Sequence, residues 1–127
     1  MNTADSIAGF AYVLACVLFT VYGQMVLKWQ VAKTGALPAT LSETIPFVVS
    51  LIFNPWILTG LLAGFLAFLC WLAALTKFEL SYAYPFMSLA FVLVLVLSAL
   101  VFHEPVNTWK VVGLVLITVG IIVGSQG

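Results

Sequence analysis

Charge is the scarcest property of this sequence. Only four lysines, four acidic residues and one histidine occur among 127 residues, so that 6% of the chain is charged and its formal net charge is zero. Apolar residues make up 65% of the chain, and the mean hydropathy is +1.26. A soluble domain needs a far more polar surface, so this composition is typical of a membrane protein.

The chain also has few of the residues that carry catalysis or bind metals. It contains one histidine and two cysteines, and no stretch resembles a zinc, haem or phosphate-loop motif. In the absence of paired carboxylates, or of a nucleophile beside a base, we predict neither an enzyme nor a bound metal or cofactor. Cys16 and Cys70 fall inside predicted membrane spans and are interpreted as small packing residues.

Long uncharged runs divide the chain into membrane spans. A helix that crosses roughly 30 Å of hydrocarbon needs roughly 20 apolar residues. Backbone groups in hydrocarbon must form hydrogen bonds within the protein, and runs as long and as apolar as these predict α-helices. We therefore predict one all-α transmembrane domain, residues 1–127, with four spans over about 6–27, 55–76, 80–102 and 106–124.

The uncharged run over residues 44–76 is too long for a single crossing. Asn54-Pro55 is typical of a helix boundary, because proline suits the first turn of a helix and disrupts its interior. The preceding stretch, SETIPFVVSLIFN, is predicted to form a short interfacial or re-entrant helix between the first two spans. The first run lacks the basic leading region of a secretion signal, so we expect it to remain as a membrane helix.

The lysines carry a small asymmetry between the two sides of the membrane. Four crossings place Lys28, Lys33 and Lys110 on one side and Lys77 on the other. The positive-inside rule favours cytoplasmic loops after the first and third spans, with both termini outside. A difference this small also fits a chain that inserts in both directions.

Polar side chains concentrate on one face of the first span and at the start of the third. They are Thr20, Gln24, Lys28, Tyr82, Tyr84 and Ser88. The first three recur every fourth residue and therefore share one helix face. Because polar groups within a membrane turn away from lipid, we predict that these six residues line a substrate site. The alternative is hydrogen bonding between helices, with the tyrosines in the interfacial belt.

Glycines at helix-packing spacing predict a dimer of bundles. A single bundle of this size is too small to enclose a large substrate and still seal both sides. Gly120 and Gly124 form a GxxxG pattern in the last span, with Gly113 one heptad earlier, and are predicted to pack against a second copy. Gly60 and Gly64 repeat the pattern in the second span. For either pair, packing within one protomer is the alternative.

The turn FHEPVN, residues 102–107, places His103, Glu104 and Pro105 at the end of the third span. Pro105 disfavours a helical conformation at the preceding residue, so the turn is predicted to be sharp. Glu104 either caps the last helix, where the helix dipole favours an anion, or pairs with Lys28 or Lys110 as a gate. In the second case His103 is the proton-sensitive member of the gate.

Three motifs together resemble a known family. They are TVYGQMVLK at 20–28, SYAYPFMSL at 81–89 and HEPV at 103–106. The chain resembles the small multidrug resistance superfamily, and within it the small membrane subunits of the bacterial aminoarabinose-phosphoundecaprenol flippase. The resemblance covers nearly the whole chain apart from about residues 34–54. Multidrug exporters of this superfamily carry a glutamate eight residues before the terminal lysine, whereas this chain has Thr20, which cannot titrate or neutralise a cation.

The resemblance implies a transporter that flips a polyprenyl-phosphate-linked sugar, or polyprenyl phosphate itself, across the bacterial inner membrane. Lys28 is the first candidate to bind the phosphate, since a lysine amine is a compact charge with three donors, and Lys110 and Lys33 are the next candidates. The alternative for Lys28 is a helix anchor whose amine reaches the membrane interface. Gln24, Tyr82, Tyr84 and Ser88 would replace the water around the sugar. The implied partners are membrane lipids and a second copy of the chain or a related small subunit, and no nucleic acid is expected.

Two other functions stay open. One is a multidrug exporter of small cations, and the other is a non-transporting partner subunit of a membrane glycosyltransferase that acts on the same lipid. Lys77 and Glu79, which flank Phe78, are interpreted as residues that cap and solvate a loop. An amine on the transported sugar would give Glu79 a second role, although the flippase subunits that this chain resembles show no obvious acid there.

Overall fold

The computed structural model describes residues 2–35 and 37–127, and these residues form only helices and the turns between them. The α-helices are α1 (Thr3–Thr34), α2 (Leu41–Ile52), α3 (Pro55–Leu75), α4 (Leu80–Ala83), α5 (Leu89–Val101) and α6 (Thr108–Gly124). A 3-10 segment, Tyr84–Ser88, joins α4 to α5. The predicted all-α class is confirmed for this part of the chain.

Three segments are long and apolar enough to cross a membrane. They are Thr3–Thr34, Pro55–Leu75 and Leu80–Val101, the last of which combines α4, the 3-10 segment and α5. These segments contain or match the first three predicted spans, although α1 continues to Thr34, beyond the end predicted at residue 27. The 17 residues of α6 would measure about 25 Å along the helix axis, so the fourth crossing stays a prediction. The interfacial or re-entrant placement of α2, which has 12 residues and no buried side chain, also stays a prediction.

Asparagine side chains cap the N-termini of α1 and α3. Asn2 Oδ1 accepts a hydrogen bond from the backbone N–H of Asp5 at 2.8 Å, and Asn54 Oδ1 accepts one from Trp56 at 2.9 Å. Both bonds satisfy an N–H group that has no partner inside its helix. Pro55 is the first residue of α3, so the boundary predicted at Asn54-Pro55 is confirmed.

α1 and α3 pack with their backbones in close contact at two glycines. A Cβ atom on Gly23 would lie 3.2 Å from the carbonyl oxygen of Gly60, and a Cβ atom on Gly60 would lie 3.6 Å from the carbonyl oxygen of Gly23. Beside them, the Tyr22 hydroxyl donates to Thr59 Oγ1 at 3.0 Å. Small residues allow this approach where water supplies no driving force for association. Gly60 therefore packs within its own protomer.

The buried core lies where α1 meets the end of α3 and the start of the third span. It consists of Val13, Val17 and Val21 from one face of α1, with Ala74, Phe78 and Ala83 packed against them. Gly9 makes room for this packing, because a Cβ atom there would lie 2.6 Å from Phe78 Cζ. Most other large apolar side chains are exposed, as expected for helices whose outer faces contact lipid.

The third span is helical from Leu80 to Val101, as the range 80–102 predicts, but it is not α-helical throughout. Pro85 has no N–H group and cannot donate the hydrogen bond that would continue the helix. The backbone accordingly tightens into the 3-10 segment at Tyr84 and resumes α-helical geometry at Leu89. Hydropathy did not reveal this change, because an apolar run has the same composition whether its helix is α or 3-10.

α6 packs against α5 and the 3-10 segment and has no buried residue. A Cβ atom on Gly124 would lie 4.0 Å from Pro85 of the same chain. An added Cβ atom at Gly113 or Gly120 would meet no atom within 4 Å among the described residues. Gly124 therefore contacts its own protomer, whereas Gly113 and Gly120 are open, and their packing in a dimer stays a prediction.

The glycine contact between α1 and α3 can be tested by adding side-chain volume. We expect Gly23→Val to destabilise the protein by about 1–3 kcal/mol, the usual cost of overpacking, and to lower its melting temperature in detergent. Gly64→Val is the matched control, because a Cβ atom on Gly64 meets nothing within 4 Å and the change in helix propensity is the same. Equal melting temperatures for the two variants would contradict the packing described here.

Candidate functional site

A cavity of about 330 Å³ lies between α1, α3 and the third span. Thr20, Tyr84 and Ser88 line it, so the structure brings together three of the six residues predicted to line a substrate site. The remaining lining residues are Cys16, Gly64, Ala67, Phe68, Trp71, Met87 and Phe91. The lining therefore contains neither a carboxylate nor an amine, and it suits a neutral, hydroxyl-rich group.

The 3-10 segment positions two of these hydroxyls. Tyr84 is its first residue and Ser88 its last, and the ring of Tyr84 meets Trp71 of α3 edge to face at a centroid distance of 6.0 Å. Gly64 contributes no side chain, which leaves space on the α3 side. A 3-10 stretch inside a longer helix often marks a functional position, and this one lines the cavity.

The polar face of α1 continues from this cavity towards one end of the molecule. Gln24 is exposed one turn beyond Thr20, and Lys28 is exposed one turn further. The eight residues from Thr20 to Lys28 correspond to about 12 Å along the helix axis. A polar group that leaves the cavity along α1 would therefore meet an amide and then an amine.

Lys28 is the last polar residue of this face and forms an ion pair with Glu104. Its Nζ lies 3.6 Å from Oε1 of Glu104, and the two side chains are 56% and 38% exposed. Of the two lysines predicted as partners for Glu104, the structure selects Lys28, because Lys110 donates to the carbonyl oxygen of Pro105 at 2.8 Å. Exposed pairs contribute only about 0–1 kcal/mol, so this one can open at little cost.

The turn that carries Glu104 has an unusual backbone. His103 adopts φ = 55°, a left-handed conformation that few residues other than glycine occupy. The N–H of Glu104 donates to the carbonyl oxygen of Ser98 at 3.3 Å, which ties the turn to α5. The prediction that Glu104 caps the last helix is wrong, because Asn107 holds that position and its Oδ1 accepts from the N–H of Lys110 at 2.9 Å.

Tyr82 lies apart from the other predicted residues, in a second cavity of about 580 Å³ at the opposite end of the molecule. An ion pair lies at this end, with Lys77 Nζ 3.1 Å from Asp5 Oδ1. Sequence reasoning missed the pair and interpreted Lys77 as a loop residue. The four-span topology did contain the signal, because it places Asp5 and Lys77 on the same side of the membrane.

Comparison with known families supports a transporter. The chain matches the EamA-like transporter family over residues 7–125, a different family from the small multidrug resistance proteins that its motifs resemble. With three helices long and apolar enough to cross a bilayer, this match makes the chain a multi-pass membrane protein. No solved structure matches it.

Individual relatives are similar over most of the chain. One from Aeromonas salmonicida, named a probable 4-amino-4-deoxy-L-arabinose-phosphoundecaprenol flippase subunit ArnF, is 35% identical over 95% of this chain and 82% of its own length. A relative from Pseudomonas aeruginosa, named a probable 4-amino-4-deoxy-L-arabinose-phosphoundecaprenol flippase subunit ArnE, is 35% identical over 88% of this chain and 92% of its own length. The resemblance to flippase subunits is thereby confirmed.

If the central cavity is hydrated, single cysteines placed in it will react with a water-soluble, membrane-impermeant maleimide applied to open membranes. In a background with Cys16→Ala and Cys70→Ala, we expect labelling of Thr20→Cys and Ser88→Cys. Thr118→Cys is the control, because Thr118 lies on α6 and its hydroxyl donates to Leu114 within that helix. Equal labelling at all three positions, or none at the two cavity positions, would contradict a hydrated cavity.

Proposed function

The chain belongs to the EamA-like transporter family, and from this premise we propose that it is a flippase subunit for a polyprenyl-phosphate-linked sugar or for polyprenyl phosphate itself. The membrane it serves is the bacterial inner membrane, and its role is transport rather than catalysis. The observation that carries the proposal is the continuous polar face of α1, which leads from a hydroxyl-lined cavity at Thr20 to an amine at Lys28.

The uncharged cavity favours a sugar over a cation. A cationic drug moved by proton exchange needs a carboxylate that alternately binds the proton and the drug. Thr20 offers only a hydroxyl at the position where multidrug exporters have their glutamate. The hydroxyls of Thr20, Tyr84 and Ser88 can instead donate to and accept from a sugar, which replaces the water lost on entry.

The phosphate of such a lipid suits Lys28. The amine of Lys28 is exposed, and its contact with Glu104 is long, at 3.6 Å. A phosphate offers more negative charge and more acceptor oxygens than one carboxylate, so it can displace Glu104 from Lys28. Opening this pair would release the turn between α5 and α6. His103 lies next to Glu104 in that turn and is proposed as the second residue of this gate.

The polyprenyl tail requires an apolar surface beside the phosphate site. A groove of about 550 Å³ runs between α1 and α5, and its lining includes Leu18, Met25, Val101 and Phe102. Trp29 also lines this groove and is the neighbour of Lys28 in the sequence. A tail in this groove would remain exposed to lipid on its outer side while the polar head crosses between the helices.

The transporter is proposed to contain two small subunits, either two copies of this chain or this chain with a related one. The relatives are named as subunits of one flippase. The open glycines Gly113 and Gly120 lie on α6, a helix with no buried residue. Glycines at this spacing would let a second helix approach closely.

Lys28→Met tests the phosphate site. We expect transport of a labelled polyprenyl phosphate to fall at least about tenfold, because the loss of a charge-assisted bond of about 1.5–3 kcal/mol reduces binding by this factor or more. Transport is measured in membrane vesicles from cells in which the variant gene replaces the chromosomal copy, so that any partner subunit is present. Melting temperatures should stay unchanged, since the ion pair is exposed.

Lys33→Met is the matched control. Lys33 lies on the same helix, five residues further on, with its amine 4.1 Å from the ring centroid of Trp29, as expected of an interfacial anchor. It should retain transport. Equal activity of the Lys28 variant and the wild type would remove Lys28 from the mechanism, and equal losses in both variants would assign the effect to general surface charge.

A further inference from the structure

The second cavity, at the end of the molecule that holds the start of α1 and the end of α6, differs in character from the central one. Its volume is about 580 Å³, and charged, hydroxyl and aromatic side chains all contribute to its lining. We propose that this cavity binds the sugar head of the transported lipid when that sugar carries an amine, with Glu79 as the partner of the ammonium group. The inference rests on the proposed flippase function and narrows its substrate class.

Aromatic rings form one wall of the cavity. Phe10, Phe78 and Tyr82 line it, with ring centroids 4.9 Å apart for Phe10 and Phe78 and 5.3 Å apart for Phe78 and Tyr82. Phe86 packs against two of these rings, with its centroid 5.5 Å from those of both Phe10 and Tyr82. The faces of such rings attract organic cations and accommodate the apolar face of a sugar.

The acidic and basic side chains at this cavity do not balance one another. Lys77 is neutralised by Asp5 at 3.1 Å. Glu79 lines the cavity and is exposed, and its carboxylate has no ion-pair or hydrogen-bond partner among residues 2–35 and 37–127. One carboxylate is therefore left over among the ionised side chains at this site. A surplus negative charge beside aromatic rings favours an ammonium group and disfavours a phosphate.

Capping does not account for Glu79. The residue occupies the N-cap position of α4, yet its side chain makes no capping hydrogen bond. Ser6 and Ser81, which line the same cavity, supply hydroxyl groups for a sugar. The cavity thus combines the three features that an amino sugar needs: an anion, an apolar face and neutral hydrogen-bonding groups.

The start of the third span contributes residues to both cavities. Tyr82 lines the outer cavity and Tyr84, two residues later, lines the central cavity. From Asp5 to Lys28, α1 extends for about 35 Å, which is close to the thickness of the hydrocarbon core. A head group with both charges would therefore meet an amine for its phosphate at one membrane face and a carboxylate for its ammonium at the other.

The test is a comparison of two probes on the detergent-purified protein. The probes are a short-chain polyprenyl phosphate that carries 4-amino-4-deoxyarabinose and its counterpart with a hydroxyl group in place of the amine. We expect the wild type to bind the amino probe about fivefold more tightly, the gain from an exposed ion pair together with a cation–π contact. Glu79→Gln should lose this preference and keep its affinity for the hydroxyl probe.

Glu43→Gln is the control, because Glu43 is an exposed acid in the first turn of α2 and should keep the preference. Equal affinity of the wild type for both probes, or a preference that survives Glu79→Gln, would overturn the inference and leave the proposed function standing. Failure of the wild type to bind either probe, or polyprenyl phosphate without a sugar, would overturn both.

Discussion

The structure depends on one constraint, which is that hydrocarbon offers no hydrogen bonds to the backbone. A helix in that environment can change its hydrogen-bond pattern but cannot leave its backbone groups without partners. At Pro85 the third span changes from α to 3-10 geometry without ending, and this segment contributes Tyr84 and Ser88 to the cavity that Thr20 also lines. The local change of helix type and the candidate site therefore coincide.

The contact between α1 and α3 determines how the polar groups are presented. Gly23 and Gly60 bring the two backbones together, and the buried valines of α1 pack on the end of α3 and on α4. With these faces occupied, the face of Thr20, Gln24 and Lys28 runs past the cavity to the pair with Glu104. Packing by small residues and transport chemistry thus share one helix without competing for the same face.

Much of this arrangement could be predicted from the sequence. The uncharged runs predicted three long apolar segments, and the dipeptide Asn54-Pro55 predicted the start of α3. The four-span topology placed Lys28 and Glu104 on the same side of the membrane. The features that escaped prediction depend on geometry. Hydropathy cannot distinguish an α-helix from one that changes to 3-10 geometry near Pro85. The ion pair between Asp5 and Lys77 joins residues 72 positions apart in the sequence. Capping of α6 was one of two roles left open for Glu104, because both Glu104 and Asn107 precede that helix, and only the backbone geometry shows that the Asn107 side chain reaches its N–H groups.

The most direct measurement of the central claim is the thermal stability of the detergent-purified protein with added ligands. A ligand that binds only the folded state raises the melting temperature of the protein. At a free ligand concentration of about 100 times the dissociation constant, the free energy of unfolding increases by about 2.7 kcal/mol. A flippase for polyprenyl-phosphate lipids should be stabilised by undecaprenyl phosphate and not by a cationic dye at the same concentration. Stabilisation by the dye alone would contradict the lipid substrate and would show that Thr20 had been misinterpreted.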